Sequence, residues 1–169
     1  MSANGAERAL SGTTLCAGEA SGTLLVLAEP LSFWGGTDRK TGMIIDTHHP
    51  QHGISMAGCV LLMDASRGSS SSSSVLAEQL RAGVGPAAIL LTARDAIVAL
   101  GALAAAELYD THMPIVLLDA AAATALRRNA ELGDYSAGVL KSFARHISVR
   151  ADADGRADVV LAYPTDHTH

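Results

Sequence analysis

Short apolar runs constrain this chain more than anything else in it. They are Thr23–Ala28 (TLLVLA), Cys59–Met63 (CVLLM), Ala87–Thr92 (AAILLT) and Met113–Leu118 (MPIVLL). Each is too short for a stable helix and apolar almost throughout, the pattern of a strand buried on both faces. Helical spacing appears between them. In Val75–Arg81 the residues Val75, Leu76 and Leu80 share one face, with Glu78, Gln79 and Arg81 outside it, and Gly83 and Gly85-Pro86 stop the helix. Ala93–Glu107 reads as a second helix, and Asp119 caps an Ala-rich third that runs to about Leu132 and closes at Gly133. Met43–Asp46 reads as one more strand. Ile147–Arg150 and Val159–Ala162 flank Asp154-Gly155, a hairpin signal. The order is strands, then alternating helix and strand, then a hairpin. It predicts an α/β domain with a mixed sheet.

The 169 residues suffice for one domain with its own core. Residues 1–12 read as a flexible lead-in, 13–164 as the single domain, and the polar segment 165–169 as a frayed tail. Only 17% of residues are charged against 49% hydrophobic, so polar surface is scarce and an apolar patch facing a protein partner is expected. The net charge of -5, with no basic run among aromatics, argues against nucleic acid. No apolar stretch reaches the roughly 20 residues of a membrane span, and Met1–Thr14 lacks a signal pattern, so the expected location is the cytoplasm. Cys16 and Cys59 are far apart and in no metal spacing, which predicts two buried free thiols.

Arg67-Gly68 followed by Ser69–Ser74 joins a strand directly to a helix. Three readings stand. A helix start offers unpaired N–H groups and partial positive charge. With Gly68 allowing close approach and Arg67 able to pair with a carboxylate or phosphate, it can be an anion site. A serine could instead simply cap the helix, or the run could be a linker. No Lys follows the glycine, which excludes the phosphate loop of nucleotide hydrolases. Phe33 and Trp34 precede Gly35-Gly36, and serve either as a core anchor at a tight turn or as the wall of a pocket. His48, His49 and His52 crowd one segment, but Pro50 and Gly53 break it and no Cys or Glu completes a metal set. A solvated loop with one His near the site is expected.

Taken in order, these pieces resemble the small-subunit or swivelling domain of the aconitase X family. The matching residues are Gly18 to Gly22, Pro30-Leu31-Ser32-Phe33-Trp34-Gly35-Gly36, Thr41-Gly42 with Ile45-Asp46, and His49-Pro50 with Gly53. Gly58, Arg67-Gly68-Ser69-Ser70, Leu76-Ala77-Glu78 and Pro86-Ala87-Ala88-Ile89 follow, so the likeness spans roughly residues 12 to 120. Ser-Phe-Trp-Gly-Gly together with Arg-Gly-Ser-Ser is its specific signature.

The resemblance implies a β/β/α swivelling fold like the mobile domain of aconitase. It also implies a hydro-lyase active only as a heterodimer with a large subunit. That subunit would hold the iron or iron–sulfur centre, leaving this chain without a cofactor of its own. By position, Ser69 becomes the catalytic base. Arg67 takes the electrostatic role of an arginine that in aconitase follows the serines, where Ser71 and Ser72 stand here. Ser70 and Gly68 would bind substrate, with Ser32, Phe33, Trp34, Gly35, Gly36 and His49 lining the cleft. The segment Tyr135 to His146 departs from the family pattern. The expected reaction is dehydration of a hydroxy acid, cis-3-hydroxy-L-proline to Δ1-pyrroline-2-carboxylate, with mevalonate 5-phosphate as the alternative substrate. A non-catalytic interaction module on the same fold is the alternative of another class.

Overall fold

The computed structural model describes residues 8–131 and 146–162. Seven strands occur in chain order: β1 (Arg8–Cys16), β2 (Gly18–Val26), β3 (Val60–Met63), β4 (Ala88–Leu91), β5 (Ile115–Leu117), β6 (His146–Ala151) and β7 (Arg156–Ala162). The helical elements are a single distorted turn α1 (Phe33–Gly36), then α2 (Ser72–Arg81), α3 (Ala96–Tyr109) and α4 (Ala120–Glu131). The sheet closes into a barrel in the order β1-β5-β4-β3-β2-β6-β7. Strands β2 to β5 pair in parallel, and β1, β6 and β7 pair antiparallel, so the expected mixed sheet is present.

The continuous apolar runs are explained by burial on both faces. Leu61, Met63, Ile89, Leu91 and Ile115 face an outer core shared with α2 and α3. The alternate residues Val60, Leu62, Ala88, Leu90 and Val116 join Ile147, Val149, Val159 and Leu161 inside the barrel, with Ala122 and Leu126 of α4 packed against them. The hairpin forms as its turn chemistry requires. Gly155 has φ 98, and Asp152 N–H donates to Arg156 O at 2.8 Å. Gly101 is not a flaw in α3, because a Cβ there would stand 2.8 Å from Ser73 O in α2.

Several expectations are corrected. Residues 8–12, read as lead-in, belong to β1, which pairs with both β5 and β7 and so closes the barrel. Its sequence RALSGTTLC hides this, since small polar side chains show no alternation while the ladder bonds come from the backbone. Strand β2 begins at Gly18 for the same reason. Met43–Asp46 is not a strand and holds only isolated bridges, Thr37 to Ile44 and Met43 to Ser55. Gln79, placed on the outer face of its helix, is fully buried. Residues 1–7, Leu132–Gly133 and the tail from Thr165 lie outside the described residues. Among the described residues no helix is long and apolar enough to cross a membrane.

Close backbone approach makes one stability prediction. A Cβ on Gly22 in β2 would stand 2.2 Å from Gly58 O, a backbone atom that cannot swing aside. Gly22→Ala is expected to cost about 2–3 kcal/mol by overpacking. Urea unfolding of the variant measures this, and an unchanged midpoint would show that the approach is relaxed in solution.

Candidate functional site

The connection from β2 to β3 and the one from β3 to α2 meet beside the start of α2. Arg67 N–H donates to Leu31 O at 3.1 Å, which ties the two together. Gly68 has φ 101, and a Cβ on it would stand 2.7 Å from Ser32 Oγ. A glycine is needed here both for conformation and for room. The serines are not a linker. Ser72–Ser74 form the first turn of α2, and Ser72 Oγ, buried, accepts the Trp34 N–H at 3.2 Å. Ser71 makes no side-chain cap bond, but Ser69 Oγ takes the Ser71 N–H at the helix start, so the capping reading stands beside the anion-site reading.

The exposed part of the turn offers polar groups to solvent. Ser69 Oγ accepts the Ser71 N–H at 3.2 Å. The N–H groups of Gly68, Ser69 and Ser70 meet no acceptor among the described residues. Arg67 Nη2 lies 3.0 Å from Asp46 Oδ2. Asp46 is also fixed by its own loop, with Oδ1 taking the His48 N–H at 2.9 Å. That backbone bond first, and the Arg67 guanidinium after it, hold the Asp46 carboxyl below the usual carboxylate range against its partial desolvation.

The Ser32–Gly36 segment divides. Phe33 is fully buried and anchors the outer core, so it cannot touch a ligand. Trp34 is 55% exposed beside the turn. Ser32 Oγ donates to Trp34 O at 2.8 Å, Gly35 is open at φ 78, and Gly36, buried, accepts the Ile45 and Asp46 N–H groups. His49 is not solvated. It is 3% exposed, its Nδ1 accepts the Gln51 N–H and its Nε2 lies 3.1 Å from Glu29 O. Both ring nitrogens serve the backbone, so His49 holds its loop and has none left for substrate.

Sequence reasoning missed one carboxylate and one amide that brace this site. Asp95, the N-cap of α3, accepts the Ile97 and Val98 N–H groups through Oδ1. Its Oδ2 takes Ser66 N–H at 2.6 Å and Ser66 Oγ–H at 2.5 Å. Burial pushes the Asp95 carboxyl up, but these four donors outweigh it and its pKa is lowered. The Asp before an apolar helical run was the available signal; starting the helix at Ala93 concealed it. Gln79 Nε2 donates to Thr37 Oγ1 at 2.8 Å and to Asp38 O at 3.2 Å, clamping the aromatic loop to α2. Its Oε1 has no partner among the described residues.

A family model described as the aconitase X swivel domain matches residues 9–140. The chain is 49% identical over 105 residues to a cis-3-hydroxy-L-proline dehydratase of Pseudomonas aeruginosa, covering 62% of this chain and 18% of that protein. It is 43% identical over 88 residues to the phosphomevalonate dehydratase small subunit of Methanothermobacter thermautotrophicus, covering 52% of this chain and 67% of the relative. The chain thus spans under a fifth of the first relative's length. Among solved structures, aconitase X of Thermococcus kodakaraensis superposes with a TM-score of 0.65 at 28% identity, covering 92% of this chain and 99% of that one. With the family model covering most of the chain and the fold agreeing, this protein belongs to the aconitase X swivel domain family.

Proposed function

We propose that this chain is the small subunit of a two-subunit aconitase-X-type dehydratase, with Ser69 as the base and Arg67 as its electrostatic support. The observation that carries the reading is the Arg67–Ser70 turn. It presents an exposed serine oxygen at a helix start, with Ser71 N–H already pointed at it and Arg67 two residues away. An alkoxide there gains from the backbone donor, from the positive end of α2 and from the guanidinium. Ser69 Oγ removes the proton next to the substrate carboxylate. The C–H electron pair forms the C=C bond, the hydroxyl on the neighbouring carbon leaves with its bonding pair, and a proton equivalent to the one taken by Ser69 completes the water. Ser70 and the unpaired N–H groups hold the anionic end, and Ser32, Trp34 and Gly35 border the cleft.

The described residues of this chain do not fit an iron centre. No group of three or more His, Cys, Asp or Glu stands together among them. Burial raises the Cys16 thiol to about 11 and pushes Cys59 up as well. In this reading the iron or iron–sulfur centre is the large subunit's, and this chain acts on the proton.

The substrate in this reading is cis-3-hydroxy-L-proline, whose first product tautomerises to Δ1-pyrroline-2-carboxylate. The higher identity to the dehydratase of that name supports it, 49% against 43%. Mevalonate 5-phosphate is the second reading, favoured by the chain's fuller span of that enzyme's small subunit, 67% against 18%. Assembly with an aconitase X large subunit and assay on both substrates tests this. Turnover of the hydroxyproline is expected; turnover of mevalonate 5-phosphate alone would transfer the assignment. Activity on neither, from a complete complex, would leave the non-catalytic module standing.

A further inference from the structure

The ion pair at the site has more to it than stability. Arg67 is 47% exposed at its side chain and Asp46 21%. A pair this exposed adds little to folding, because solvent screens it and holding a long arginine in one place costs entropy. Its value lies in where it keeps the guanidinium.

Asp46 is built to be the fixed member. Its N–H bonds Gly36 O at 3.3 Å, and its carbonyl accepts the His49 N–H at 3.1 Å. One carboxylate oxygen is taken by His48 N–H before the other meets Arg67. Buried His49 in turn holds the loop to Glu29 O. Arg67 has a fixed backbone, through Leu31 O, but Asp46 is the one side chain bonded to its guanidinium among the described residues. That contact uses Nη2 alone, and an arginine has five N–H donors in a rigid plane. Fixing one corner of the plane orients the rest.

We infer that Asp46 is a positioning residue, which aims Arg67 at the Ser69 turn and so keeps the remaining guanidinium donors directed at the reacting end of the cleft. This rests on the reading of Arg67 given above. Asp46 needs no contact with substrate.

A double-mutant cycle in the assembled enzyme tests it. Asp46→Ala is expected to lower kcat roughly tenfold with little change in KM, the scale of a mispositioned catalytic group. Asp46→Asn keeps one acceptor oxygen, for Arg67 or for His48 N–H but not for both, and is expected to recover only part of the loss. In an Arg67→Ala background, Asp46→Ala should add nothing. A merely structural role for Asp46 would still lower activity there, and a full additional loss overturns this proposal alone. Near-normal activity of Arg67→Ala by itself would overturn the reading of Arg67 and this proposal with it. Thermal melts of all four proteins separate these outcomes from misfolding. Should Asp46→Ala not fold, the cycle run with Asp46→Asn decides on the same criterion, with a smaller kcat effect.

Discussion

In the proposed two-subunit enzyme, Ser69→Ala is expected to lower turnover by roughly 10²–10⁴-fold, the worth of a positioned base. The effect on folding should be small. Ser69 is exposed, and its one side-chain bond among the described residues is that from Ser71 N–H at 3.2 Å. Losing this helix-start bond costs about 1 kcal/mol. The variant should therefore melt a few degrees below the wild type and still join the large subunit. Ser70→Ala is the control that assigns the base between neighbours. Ser70 serves α2 through its carbonyl, which accepts Ser73 N–H and Ser73 Oγ–H. Its hydroxyl is assigned to substrate, so the loss should fall mainly on KM. Near-normal kcat in Ser69→Ala, measured in steady state on a verified complex, removes Ser69 from the base role.

Asp95→Ala should be the most damaging change to stability near the site. The carboxylate is 8% exposed and satisfies four donors. Losing the cap costs about 1 kcal/mol, and orphaning the half-buried Ser66 donors adds about 1–3 kcal/mol. A total near 3 kcal/mol lowers Tm by roughly 6–12 °C in a domain of this size. The effect depends on pH, because the folded state holds this carboxyl below its ordinary value. A depressed pKa contributes stability above the unfolded value, about 3.9 for Asp, and loses it as pH falls through the lower folded value. The gap between wild type and Asp95→Ala should thus be full at pH 7 and shrink well below pH 4. Urea unfolding at both pH values measures it; a constant gap would mean that packing, not charge, accounts for it. Activity should fall as well, since Ser66 precedes Arg67 in the turn.

What was legible in the chain followed from local chemistry. Each apolar run became a strand or its core, because residues buried on both faces announce themselves by composition. The hairpin at Asp154-Gly155 and the helix after Ser72 followed from turn and breaker residues. Arg67-Gly68-Ser69 stood out as a candidate site because glycine, a charge and helix-start hydroxyls are a combination with few structural uses. Phe33 and His49 were misassigned for a related reason. Residue type says that an aromatic or a histidine sits near a loop, but not whether it points inward, and both do.

The sequence by itself determined the class of fold, the position of the serine turn and the family. Barrel closure, and the frame that holds the turn, were decided only by the tertiary structure. Strand β1 is a strand because β5 and β7 offer it backbone partners on both sides, a property of neighbours more than 90 residues away, from Thr13 to Leu117 and from Arg8 to Leu161. Asp46, Asp95 and Gln79 lie 21, 29 and 42 residues from the groups they hold, Arg67, Ser66 and Thr37. No local pattern encodes such contacts. Hydrogen bonds and ion pairs depend on distance in space, and only the folded chain sets those distances.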